Sequence, residues 1–278
     1  PGLRDAAAVD VGVRAEALRR TARPHLRYNS RIIRGDRRMR LTNLVALAVA
    51  LALLPPSTPA QVKTVTTPLQ SSAEPQLGSR FRRDANEVAR LARDGDMAQA
   101  RKRLEPILAY CDQLATPTRD VISVANAEEY EAYMASYAGG KPVEWVDVTC
   151  PNAYKMRAFL DVEARDIASA VTFLDKASAL APYRAEPLVE RGYLQMNMLH
   201  QPKEALATYQ RALELSERYP SNQHVKPLAL RGLGFVWIEL GDLDRAELLY
   251  RQSLELDPGN TTALSELDFI QKQRAPTP

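Results

Sequence analysis

Cysteine and histidine are almost missing from this sequence: two and three residues among 278. Cys111 and Cys150 alone are too few for a structural zinc site, which takes four ligands, so no metal centre is expected. Downstream of Met39 the only histidines are His200 and His224, and no serine or cysteine stands in a nucleophile motif. Gly139-Gly140-Lys141 resembles part of a phosphate loop. It lacks the earlier glycine and the strand–loop–helix frame, so it reads as a loop lysine after a helix end. The carboxylates read as scattered over helix surfaces, with Glu128-Glu129 as an acidic first helical turn. Neither catalysis nor a cofactor is expected. Long apolar runs are missing too: the longest of the front region, Leu44–Leu54, has 11 residues, about half of what a membrane-spanning helix needs.

That run sits in a recognisable frame. Met39-Arg40 is a basic start, Pro55-Pro56 breaks the run, and Thr58 and Ala60 are small residues ahead of Gln61. Residues 39–60 thus have the layout of a secretory signal peptide, with an uncleaved anchor as the alternative. No cysteine follows the run to accept a lipid. A signal peptide belongs at the N-terminus, so residues 1–38 read as upstream sequence from a wrong start choice, with Met39 as the true start. The alternative is an arginine-rich organelle-targeting or nucleic-acid-binding arm. Tyr28 is its only aromatic, so no stacking pattern accompanies the arginines. Charge follows the same division: residues 1–40 carry a net +7, residues 41–60 none, and residues 61–278 a net −4. A mildly acidic mature chain argues against a nucleic-acid partner. Residues 61–80, rich in proline, serine and threonine, read as a disordered linker. The expected location is periplasmic or secreted, with no stable membrane anchor after cleavage.

What fills the rest is helical. Residues 230–258 read LRGLGFVWIELGDLDRAELLYRQSLELDP. Trp237, Leu240, Leu249 and Leu256 recur at helical spacing. Gly241-Asp242 marks a turn, and Pro258 stops the helix that follows. Gly234 and Ala246 lie 12 apart and are expected to face each other across the turn, where larger side chains would push the helices apart. Leu230, Leu233, Gly234, Trp237, Ala246, Tyr250 and Pro258 stand at the marker positions of the tetratricopeptide repeat, and the segment resembles that helix–turn–helix family. The marker alanines recur at Ala100, Ala170, Ala205 and Ala246, in steps of 70, 35 and 41. Their first-helix partners are Val88, Ala158, Gly192 and Gly234, and the Gly192 spacing is one residue longer than the others. The resemblance implies an all-α fold, an α-solenoid of helical hairpins: one unit over 81–114 and three over 151–260. Leu264, Leu267 and Ile270 then stripe a capping helix over 261–274, started by Thr261 or Thr262.

Residues 115–150 break the pattern. Val121–Val124 and Val143–Val148 read as strands. Asn126 caps a helix between them that runs to Tyr137 and ends at Gly139-Gly140, a small α/β-like insertion. A decayed repeat is the alternative. Cys111 ends the first unit and Cys150 begins the second. In an uninterrupted array those points lie close together, so a disulfide at the base of the insertion is expected, against the alternative of two buried thiols.

The family lines its groove with the inner faces of first helices. By that resemblance Asn152, Lys155, Phe159, Tyr193, Met196, Arg231, Phe235 and Ile238 are the expected partner-binding residues. The implied function is a non-enzymatic protein–protein scaffold of the cell envelope, holding a protein or peptide in the concave groove. The alternative is an envelope enzyme or small-ligand module centred on 115–150. Self-association through the open faces of the array is a third expectation.

Overall fold

The computed structural model describes residues 76–275. The upstream extension (1–38), the signal peptide (39–60) and the linker as far as residue 75 lie outside the described residues. Among those described, ten α-helices carry the fold. Four hairpins are formed by α1 (Arg82–Arg93) with α2 (Met97–Cys111), α4 (Thr149–Glu163) with α5 (Ile167–Leu180), α6 (Glu186–Asn197) with α7 (Pro202–Arg218), and α8 (Lys226–Glu239) with α9 (Leu243–Leu256). A last helix, α10 (Thr261–Arg274), packs on α9. The insertion holds α3 (Ala127–Ser136) between two short strands, β1 (Asp120–Ile122) and β2 (Val143–Trp145). The chain is an all-α solenoid of helical hairpins interrupted by one small α/β element.

Each hairpin turn is built the same way. One residue in the left-handed region reverses the chain: Gly95 (φ 87°), Arg165 (φ 63°), His200 (φ 55°) and Gly241 (φ 84°). The amide one position on bonds back to a carbonyl in the last helical turn: Asp96 to Leu91, Asp166 to Asp161, and Asp242 to Trp237, at 2.8–2.9 Å. In those three turns the same aspartate caps the second helix, accepting from Gln99, Ser169 and Arg245 amides at 3.0–3.1 Å. The third hairpin differs. Gln201 bonds back to Gln195, six residues rather than five, and α7 starts at Pro202 with no side-chain cap. This is the extra residue that the Gly192–Ala205 spacing indicates.

Between the two helices of a unit, volumes are matched in pairs. A methyl group at Gly192 would meet the Tyr209 ring at 2.8 Å, and one at Gly234 the Tyr250 ring at 2.8 Å. The close partner of Gly234 is therefore Tyr250, one turn beyond the Ala246 that spacing suggested. Where the second helix carries leucine instead (Leu104, Leu174), the first helix carries valine or alanine (Val88, Ala158) in the same apolar cluster. A small residue is needed only where the ring is large. Tyr209 is enclosed further, because a methyl at Gly232 on α8 would lie 2.2 Å from its ring.

The insertion lies along the edge where one unit hands over to the next. β1 and β2 pair in parallel, Asp120 opposite Val143 and Ile122 opposite Trp145. Both strands are shorter than the alternation suggested, since Ser123 leaves the sheet to bond the Leu180 carbonyl at 2.7 Å and Asp147 turns inward to open α4. Helix α3 stops at Ser136, just short of the expected Tyr137. Leu77, expected in the disordered linker, instead bridges Val146 beside β2, its carbonyl accepting from the Asp147 amide at 2.9 Å. Asn260, not Thr261 or Thr262, caps α10 by accepting from the Ala263 amide at 3.0 Å. Its short amide reaches the third amide ahead while the threonines already lie inside the helix.

Candidate functional site

The first helices carry a face that continues from unit to unit. On α4, Asn152, Lys155 and Phe159 follow at helical spacing; on α6, Glu186, Glu190, Tyr193 and Asn197 do the same. Lys155 Nζ lies 3.3 Å from Glu190 Oε1, both side chains largely covered, so the two faces adjoin. Burial pushes the Glu190 carboxyl above the ordinary range, and nearby Glu186 adds to this while Lys155 opposes it. Glu186 goes the other way. Burial would raise it, but the His224 hydrogen bond and the positive charge of Arg184 outweigh that and hold it well below the usual carboxylate range. Arg184 Nη2 lies 2.5 Å from Glu186 Oε1, and His224 Nε2 lies 3.3 Å from the same oxygen. The sequence reading missed both glutamates. Their signal was the four-residue spacing on the same face as Tyr193.

The remaining expected residues divide. Arg231 on α8 is 16% exposed and donates to Ser253 Oγ at 3.1 Å and Asp257 Oδ2 at 3.2 Å. Its charge is engaged within its own hairpin. Phe159, Tyr193, Phe235 and Ile238 are half-buried and lean on the apolar clusters between units. Met196 is core: 7% exposed, it packs with Ala205, Tyr209 and Leu233. Three residues past Tyr193 is about 60° round the helix, which turns Met196 towards the second helices and leaves it little surface to offer a ligand.

The insertion leads into the N-terminal end of α4, next to Asn152. Cys111 and Cys150 are joined, Cα to Cα 5.6 Å, and both are buried. Three carboxylates, two at the insertion and one at the far end of α4, are buried. Asp147, 2% exposed, accepts from Arg82 Nε at 2.9 Å and the Thr149 amide at 2.9 Å. Burial would raise its pKa, but those hydrogen bonds win and keep it ionised below the ordinary carboxylate range. Asp161, 1% exposed, gathers Arg101 at 2.7 Å, Arg157 at 2.9 Å and Ser169 Oγ at 2.6 Å. It too is held low, against its burial. Glu129, 1% exposed, accepts from the Ala125 amide at 2.8 Å and Ser221 Oγ at 2.7 Å. Lys141, the loop lysine, pairs with Asp120 at 3.3 Å. Among the described residues no three His, Cys, Asp or Glu side chains stand together as a metal site, and no helix is long and apolar enough to cross a membrane.

Comparison with known proteins points the same way as the fold. Residues 183–258 match the family model of the tetratricopeptide repeat. No curated protein matches this sequence. Among solved structures, the chain is similar to PilW, described as a widely conserved type IV pilus biogenesis factor: 18% identity, 70% of each chain covered, TM-score 0.50. It is similar also to BtubC (BKLC) from P. vanneervenii, at 15% identity over 70% of this chain and 73% of that one, TM-score 0.50. Pseudomonas aeruginosa PilF follows at 16% identity, 69% and 68% coverage and TM-score 0.49.

Proposed function

We propose that this chain, a tetratricopeptide-repeat protein, is a non-enzymatic scaffold of the cell envelope that holds a protein or peptide partner along its first helices. The observation that carries the reading is the Lys155–Glu190 contact, which makes one surface of two successive units. Asn152, Lys155, Phe159 and Tyr193 form its centre, with Glu186 and Glu190 as the charged floor; Phe235 and Ile238 extend it. Half-buried rings beside engaged charges suit an extended segment bound by shape and by hydrogen bonds. Arg231, already bonded at home, positions α8 instead of gripping a ligand. Export is supported by the Cys111–Cys150 bond, of a kind that persists in oxidising compartments. The leader-like layout of residues 39–60 supports it too. PilW, similar in fold, acts in pilus biogenesis.

Site-specific photocrosslinking tests the reading. A photoreactive residue at position 152 should trap a discrete partner in envelope extracts, and one at Glu255, on the exposed face of α9, should not. Trapping only from position 255, or equally from both, overturns the assignment of this face.

A further inference from the structure

Repeat arrays are quasi-one-dimensional: each unit touches its neighbours, and curvature is the sum of small, separately yielding rotations. This chain departs from that rule at one edge. The insertion leaves the array between the first and second units, where the Cys111–Cys150 bond fixes its base. Its first strand continues to the end of the second unit, where the Ser123 amide donates to the Leu180 carbonyl at 2.7 Å. Its helix then reaches the loop that follows the third unit, where Ser221 Oγ donates to Glu129 Oε1 at 2.7 Å across 92 residues of sequence. That loop is itself sewn back. Asn222, 1% exposed, accepts from the Ala185 amide at 2.9 Å and donates to the Tyr183 carbonyl at 2.7 Å, between the second and third units. Tyr183 and Tyr219 rings pack 4.9 Å apart across the same junction.

We propose that the insertion is a strap that sets the curvature of the array, with Glu129 and Ser221 as its latch. Glu129 is the argument. Its carboxyl is buried, its hydrogen bonds come from one amide and one hydroxyl, and it forms no salt bridge among the described residues. Burying a carboxyl without a cation is costly, and a neutral glutamine, which can still accept from the Ala125 amide, would fold α3 as well. What the carboxyl does here is join directly two loops that otherwise meet only through the second–third junction. With the latch closed, units one to four turn as one body; with it open, the third and fourth swing about the second–third junction. The strap is a property of the array itself and stands whether or not a partner lies along the first helices.

Pulsed electron paramagnetic resonance on the full chain tests this. Spin-labelled noncanonical residues replace Lys102 on α2 and Glu255 on α9, leaving the disulfide intact. Glu129→Ala and Ser221→Ala should each broaden the distance distribution and move its mean by a few ångström, with helix content by circular dichroism unchanged. Glu129→Gln, whose amide oxygen can still accept from Ser221, should move it less. Glu131→Ala, on the exposed side of the same helix, should not move it. Native-like distributions in both Glu129→Ala and Ser221→Ala overturn the strap. If Glu129→Ala fails to fold, Ser221→Ala decides; besides the latch it removes only the long 3.4 Å contact from Asn222 Nδ2, whose stronger bonds to Ala185 and Tyr183 remain.

Discussion

Among the glycines of the described residues, the closest approach is to a tyrosine ring held between two of them. Tyr209 leaves no room for a methyl at Gly192 or at Gly232, so Gly232→Ala should cost about 2 kcal/mol or more by overpacking. The penalty should shrink in a Tyr209→Leu background, because the residues share one space; denaturant melts of the two single variants and the double would measure it. Gly241 is the opposite case. Nothing lies within 4 Å of where its methyl would go, so Gly241→Ala isolates the cost of its φ of 84°, about 1 kcal/mol. Arg165 already bears that cost at φ 63°. Arg165→Gly should therefore raise stability, by up to about 1 kcal/mol, and a lower melting temperature for this variant would contradict the reading.

Helix caps and buried carboxylates set how the elements behave with pH. Removing the Asp242 cap with alanine should cost about 1 kcal/mol. Asp147 and Asp161 are depressed in the folded state. Their contribution is complete above the ordinary carboxylate pKa, about 4, and is lost as pH falls from there through the folded values. Acid unfolding should therefore steepen below about pH 4. Asp161→Asn should flatten that limb while lowering stability at neutral pH, where Arg101 and Arg157 lose their partner. These two residues also show where sequence legibility ends. The turns at Gly95 and Gly241 could be read because glycine announces them; spacing placed the turn near His200, but the left-handed backbone at Arg165 and His200 was not legible, since no side chain there betrays it. The insertion's strand–helix–strand order was legible from alternation and from the Asn126 cap. That Asp161 is buried was not, because its cations come from α2 and from its own helix, and only the first lies far away in sequence. Met196 lies about 60° round α6 from Tyr193, on a helix whose face the family resemblance fixes only coarsely, and is core instead.

At the scale of the whole molecule, stability rests on a row of small cores, one at each junction, joined by neighbour contacts. The Cys111–Cys150 bond adds a constraint to the unfolded chain of about 4 kcal/mol for a loop of this length. Reduction should lower the melting temperature by many degrees, read by calorimetry with and without reductant. The two cysteines are 39 apart in sequence and enclose the entire insertion. That makes the insertion a covalent ring hung on the array, which has a consequence for how the chain comes apart. A protease that cuts once in the exposed stretch around Lys141 opens the ring without dividing the molecule. The nicked protein should run as one band on a non-reducing gel and as two after reduction.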